Sequence, residues 1–248
     1  MKITDSTILV TGANRGLGKA LVDEASKRGA KRIYAGARQP IVQADRRVVP
    51  LILDVTNAAQ IRAAAEKVGA LDILINNAGI SLQNDLSDRA ALERLLAVNL
   101  FGTYDVTQSF IPVLARSRGA IVNVLSLASL AAVPFDSLYS ISKAAAFSLS
   151  QSLRALLAGQ GVSVHVVLPG PIDTDMTRGL ELPKASPEFV AGAIFDGVED
   201  GNEEIFPDPM SEAIAEGWRN SSVKALQRQF AAYAIQTPVK SAQPSIRG

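Results

Sequence analysis

Seven short β-branched runs recur along this 248-residue chain, separated by stretches with helical spacing, and that alternation constrains its fold more than any other feature. The runs are Thr7–Thr11, Arg32–Gly36, Val48–Leu53, Leu71–Asn76, Gly119–Ser126, Val162–Leu168 and Glu203–Phe206. Most are continuously apolar rather than alternating, as parallel strands covered on both faces must be. Helical spacing occupies Leu17–Arg28, Ala58–Val68, Asp88–Ala115, Ser137–Ala158 and Pro187–Glu199, the last with Ser186 as cap and Pro187 in the first turn. The order predicts an α/β architecture, a doubly wound parallel sheet flanked by helices in one domain over residues 1–235. A flexible segment is expected over 171–186 and a final helix over Ser211–Ala232. Residues 236–248 read as a tail, flexible or pinned at a subunit interface.

Composition narrows the chemistry. There is no Cys and a single His, which removes disulfides, thiolate nucleophiles and the usual zinc sites, so no metal is expected. Basic and acidic residues balance to a net charge of +1, which gives no electrostatic footprint for nucleic acid or an anionic membrane. The first apolar run is too short for a signal core or a membrane span, so a soluble cytoplasmic protein is expected. Catalysis must then run on Ser, Tyr, Lys, Asn, carboxylates or an organic cofactor.

The first strand runs into Gly12-Ala13-Asn14-Arg15-Gly16-Leu17-Gly18 and then a helix. Glycines there turn the chain, let backbone approach a pyrophosphate and allow close helix–strand packing, as in a Rossmann-type sheet. The anion would sit at the helix N-terminus. The spacing G-x-x-x-G-x-G differs from the G-x-G-x-x-G fingerprint. After the second strand an NAD site usually carries an acid, but here Ala37-Arg38-Gln39 follows, with Arg38 20 residues past Gly18. Arg38 and Arg15 suit a 2′-phosphate through charge-assisted hydrogen bonds, which favours NADP(H) over NAD(H).

Tyr139 and Lys143 are four residues apart and share a helix face. Ser126 precedes Tyr139 by 13 residues and ends a strand, where ligands of open α/β sheets bind. With these residues in place, the chain resembles the short-chain dehydrogenase/reductase family over nearly its whole length. The resemblance is carried by Thr11-Gly12-Ala13-Asn14-Arg15-Gly16-Leu17-Gly18, Asp54-Val55, Asn76-Asn77-Ala78-Gly79 and Asn99, then by Ser126, Tyr139…Lys143 and Pro169-Gly170-Pro171-Ile172-Asp173-Thr174.

The resemblance implies an NAD(P)(H)-dependent oxidoreductase with a Ser126–Tyr139–Lys143 triad supported by Asn99 on the fourth helix. Tyr139 would be the general acid in reduction and the base in oxidation, with Lys143 stabilising its phenolate and bonding the nicotinamide ribose. Ser126 would stabilise charge on the substrate oxygen, and Asn99 would hold a water linking Lys143 to solvent. Asp54 and Val55 would meet the adenine, Ala78 and Gly79 the ribose, and Ile172 and Thr174 the carboxamide beside Pro169 and Gly170. Asn76 would lock the neighbouring strand. Two departures stand out: Leu125 replaces a common second Ser, and residues 175–186 are short for a substrate lid, which implies an open, permissive pocket.

Other conspicuous residues have plainer readings. His165, inside an apolar strand, reads as structural, and Trp218 and Phe230 as packing or subunit contacts. Asp173 and Asp175 read as capping or surface groups. Phe135, Met176 and Leu180 are the candidates for an apolar substrate wall. The expected function is NADP(H)-dependent reduction of apolar ketones or aldehydes, or oxidation of secondary alcohols. A cofactor-binding regulator without turnover, or imine reduction, dehydration or epimerisation on the same fold, are the alternatives. The resemblance further implies a homodimer or homotetramer.

Overall fold

Apolar residues alternate in destination along each central strand, and this splits the core in two. The computed structural model describes residues 1–82 and 86–236. Strands β1 (Thr7–Thr11), β2 (Arg32–Ala37), β3 (Val48–Ile52), β4 (Ile73–Asn76), β5 (Ala120–Val124), β6 (Ser163–Val167) and β7 (Glu204–Ile205) form one sheet. Its order is β3-β2-β1-β4-β5-β6-β7, and every adjacent pair is parallel. Ile8, Val10, Ile33, Ile73, Ile75 and Val122 face α1 (Gly16–Lys27) and α6 (Pro187–Glu199). Leu9, Leu74, Ile121 and Val164 face the opposite core, which includes Phe110 and Leu114. Side chains at successive strand positions point to opposite faces, so a strand covered twice must be apolar throughout.

The second face is covered by α2 (Ala58–Lys67), α4 (Thr103–Ser117) and α5 (Ser137–Leu157). The doubly wound parallel sheet expected from the sequence is therefore present. Strand order reverses direction between β1 and β4, which leaves a crevice at their carboxyl ends.

Two helix expectations need correction. The helix expected over Asp88–Ala115 is α3 (Arg89–Leu96), a π-helical turn (Ala97–Gly102) and α4. The wider turn presses Gly102 against β3's exit: a Cβ there would lie 2.7 Å from Val55 Cγ2. Residue spacing does not reveal such a shift in backbone pairing. The single helix expected over Ser211–Ala232 is two, α7 (Pro209–Arg219) and α8 (Ser222–Gln236). The break is chemical: Ser221 Oγ accepts from Lys224 N at 3.1 Å and starts the second helix. The turn buries Lys224, whose Nζ donates to Glu203 at 2.6 Å and Glu204 at 2.7 Å. Apart from Gln236, the expected tail lies outside the described residues.

Candidate active site

Steric demands fix the glycine loop. Gly12 has φ +66°, and a Cβ on it would lie 2.9 Å from Ala78 Cα. A Cβ on Gly18 would fall 2.0 Å from the Gly12 carbonyl oxygen. Both positions therefore admit only glycine, and the loop stays flush against the end of β4. Thr11 Oγ1 accepts from the backbone N–H of Asn77 and of Ala78, each at 3.0 Å, while Asn77 Nδ2 donates to Thr11 O at 3.0 Å and Gly12 O at 3.2 Å. These bonds carry Ala78 and Gly79 to the loop. Leu17 is buried in the core, Asn14 is exposed, and no side chain caps the first turn of α1, so its N–H groups remain available to an anion.

The two arginines differ in state. Arg38 is exposed just beyond β2 and makes no ion pair among the described residues. Arg15 Nη1 donates to Asp175 Oδ2 at 2.8 Å, and the other oxygen of Asp175 accepts from Arg178. Asp54 Oδ1 accepts from Thr56 N at 2.9 Å and Thr56 Oγ1 at 2.7 Å. The backbone bond leads the causes that hold its carboxyl below the usual range, and Arg38 adds a smaller pull.

The catalytic candidates converge on the carboxyl ends of β4 and β5. Ser126 lies two residues past β5 and begins a 3-10 turn over Leu127–Ser129; its Oγ accepts from Ala128 N at 3.1 Å. Ser126 also hydrogen-bonds to the Tyr139 side chain. Tyr139 and Lys143 project from α5, with Lys143 Nζ 5.6 Å from the Tyr139 ring centroid. Lys143 Nζ donates to Val124 O at 3.0 Å, two residues before Ser126. A Cβ on Gly79 would lie 3.3 Å from Asn99 Oδ1 and 3.6 Å from Lys143 Nζ, so the motif from β4 reaches the same place.

Burial dominates the electrostatics. The Tyr139 hydroxyl lies amid protein, and desolvation pushes it up to about 12; Ser126 pulls it down by hydrogen bonding and the Asp136 charge pushes it further up. Desolvation lowers Lys143 to about 8.

Asn99 stands in the π turn rather than in a regular helix. Its Oδ1 accepts from Ile80 N, and its Nδ2 donates to Ile80 O and Ser142 Oγ, all at 2.9 Å. It therefore clamps the segment after β4 and keeps one lone pair of Oδ1 beside Lys143. Asn76 Nδ2 donates to Thr107 Oγ1 and Asn123 Oδ1, each at 2.9 Å, tying β4 to β5 and α4. Asn123 continues to Ser150 on α5 at 2.8 Å. The sequence reading had assigned nothing to Asn123 or Ser150.

Pro169 O accepts from Leu127 N at 3.0 Å, and Gly170 N donates to Asp208 Oδ2 at 2.8 Å. The buried Asp208 also caps α7 through Met210 N and Ser211 N. This residue was missed, although Asp-Pro is the signature of a helix start. Met210 packs beside Gly170: a Cβ there would lie 3.1 Å from its Sδ. Ile172 bridges to Ala185, and Thr174 lies against Gly16, where a Cβ would come 3.1 Å from its methyl. The segment expected to be a short lid thus folds back on itself across the glycine loop.

Among the wall candidates Phe135 and Met176 are exposed and Leu180 is half-buried. His165 is buried, its Nδ1 2.7 Å from Asn202 O, and burial lowers its pKa. Trp218 lies on α7, packs edge-on against Phe147 and donates to Glu204 Oε2 at 3.2 Å. Asp175 is an ion-pair partner rather than a cap. Among the described residues no cluster of three metal-ligating side chains exists, and no helix is long and apolar enough to cross a membrane.

Comparison with known proteins agrees with this geometry. The family model for short chain dehydrogenase matches residues 6–184. Ketoacyl reductase HetN of Nostoc sp. (strain PCC 7120) is 31% identical over 236 residues, covering 86% of this chain and 82% of that protein. An uncharacterized oxidoreductase of Staphylococcus aureus (strain USA300) is 32% identical over 210 residues, covering 77% and 90%. A short chain dehydrogenase from Burkholderia cenocepacia J2315, solved in complex with NADP, superposes with TM-score 0.85 at 37% identity, covering 92% of this chain and 98% of that one.

Proposed function

The chain belongs to the short-chain dehydrogenase family, and from that premise we propose that it moves hydride between NADP(H) and an apolar ketone, aldehyde or secondary alcohol, with Tyr139 as the acid/base. It is an oxidoreductase fold, and the observation that carries the finer reading is the meeting of Ser126, Tyr139, Lys143 and Asn99 at the carboxyl ends of β4 and β5. NADP(H) supplies the hydride when bound. The residues fit it: the loop has space only for backbone at Gly12 and Gly18, and Arg38 and Arg15 present guanidinium groups for a 2′-phosphate. The Burkholderia relative solved with NADP supports the same choice. Asp54, Val55, Asn76, Ala78, Gly79, Pro169, Gly170, Ile172 and Thr174 complete the cofactor side.

Each side chain has a defined task. Tyr139, kept protonated by burial, is set to donate a proton to the substrate oxygen in reduction. Ser126, hydrogen-bonded to Tyr139 in the absence of substrate, turns its hydroxyl proton to that oxygen and stabilises developing charge. Lys143 supplies the positive charge that favours the phenolate, and the free lone pair of Asn99 holds the water that connects Lys143 to solvent. Phe135, Met176 and Leu180, joined by Met210, form the apolar wall. The exposed Phe101 and Tyr104 on the π turn and α4, with Ile141 on α5, support a homodimer or homotetramer through these helices. A cytoplasmic setting is consistent with the redox chemistry.

The test is NADPH consumption with a panel of ketones and aldehydes. Tyr139→Phe should lower turnover by about 100-fold or more. Undiminished turnover would refute the acid/base role.

A further inference from the structure

Asp136 is the N-cap of α5 and Tyr139 is the third residue of that helix. These two positions adjoin: in a capping box each one's side chain bonds the other's backbone N–H. An Asp in this position ordinarily accepts an N–H of the first turn, yet Asp136 makes no cap hydrogen bond. Its Oδ2 instead accepts from Ser81 Oγ at 2.7 Å, and its Oδ1 is buried with no hydrogen-bond partner among the described residues. A buried carboxylate oxygen left unpaired is costly and calls for a reason. Serine side chains close the rest of the turn: Ser140 Oγ donates to Asp136 O at 3.0 Å and accepts from Val133 N at 2.9 Å.

We propose that Asp136 is a positioning residue for proton transfer, its half-paired, desolvated carboxylate holding Tyr139 in the protonated, proton-donating form. The proposal rests on the acid/base reading of Tyr139. Along the chain Tyr139 is flanked by opposite charges, Asp136 at the N-cap three residues before it and Lys143, whose Nζ lies 5.6 Å from its ring centroid, four after. The other elements packed there bring Ser126 from the end of β5, Ile80 and Leu82 from the segment after β4, and Leu92 from α3, none of them charged. Asp136 therefore has no competitor of its own sign at the phenol among the described residues. Burial raises the Asp136 carboxyl while its hydrogen bond from Ser81 lowers it. A carboxylate with one hydrogen bond and one buried oxygen is screened less than one in bulk water, so its charge is felt by its neighbour.

The experiment is the pH profile of turnover, in both directions, for wild type, Asp136→Asn and Asp136→Ser. Asn and Ser are good N-caps, so each variant can still begin the helix. Removing the anion makes the phenolate easier to form. The alkaline limb of reduction and the acidic limb of oxidation should both move to lower pH, by about one unit, in both variants. Superimposable profiles would overturn the proposal, and so would a uniform fall in rate with the limbs unmoved. Tyr139→Phe, run alongside, separates the two readings: if it retains turnover, the acid/base assignment fails; if it is inactive while the limbs stay fixed, only the role of Asp136 fails.

Discussion

Arg15 Nη1 and Asp175 Oδ2 lie 2.8 Å apart, so the glycine loop is ion-paired to the segment that follows β6. Asp175 holds Arg178 with its other oxygen and keeps a partner if Arg15 leaves. The carboxylate thus competes with a 2′-phosphate for the same guanidinium. Both side chains are largely exposed, and exposed pairs contribute about 0–1 kcal/mol. Asp175→Asn should tighten NADPH binding by about two- to fivefold, read from cofactor fluorescence in the absence of substrate. An unchanged or weaker affinity would show that Arg15 does not have to be released.

Arg38 makes no ion pair among the described residues, and its loss should be felt more. Hydrogen bonds between charged groups contribute about 1.5–3 kcal/mol. Arg38→Asp should weaken NADPH binding by about 10- to 100-fold and turn the preference toward NADH. The same NADPH-to-NADH ratio in the variant would place the 2′-phosphate elsewhere.

Lys143 carries a stability cost. Burial lowers it from 10.5 to about 8, so the unfolded chain binds the proton more tightly than the folded one. The penalty is complete below the folded value, shrinks as pH rises through the window from 8, and is gone above 10.5. Lys143→Met removes it but also forfeits the bond to Val124 O, for a net gain of about 1–2 kcal/mol at neutrality. Urea melts at pH 7 and pH 10 should show the variant more stable at the lower pH and the gap narrowing at the higher. A variant no more stable at pH 7 would contradict the burial argument. Turnover should be lost in either case.

Phe110 projects from α4 and is fully buried in the core on the sheet face opposite Ala13 and Leu17 of the glycine loop. Phe110→Ala should cost about 3–5 kcal/mol in urea unfolding. Folded protein that survives should bind NADPH as wild type does. A cost below 1 kcal/mol would mean the core repacks into the space.

Much of the site could be read from the chain because its steric and chemical demands are local. Gly12 and Gly18 admit no side chain, and the four-residue step from Tyr139 to Lys143 survives any rearrangement around α5. The family resemblance points to Asn99, but nothing in the chain points to its π turn, since an extra residue in a helical turn leaves no periodic trace. The Asn220-Ser221 break between α7 and α8 did leave a trace, a polar cap run, that helical spacing masked. Asp208-Pro209 marks a helix start, but the bond of Asp208 to Gly170, 38 residues away, and that of Asn123 to Asn76, 47 away, leave no local trace.

By itself the sequence determined the doubly wound sheet and the tight glycine loop, and it singled out Ser126, Tyr139 and Lys143 as candidates, because period, turn chemistry and spacing act over a few residues. Only the tertiary structure decided how those groups are tuned. The unpaired oxygen of Asp136, the clamp of Asn99 on Ile80 and the engagement of Arg15 by Asp175 depend on segments that meet only after folding. Burial and charge act through space, and distance along the chain carries no record of either.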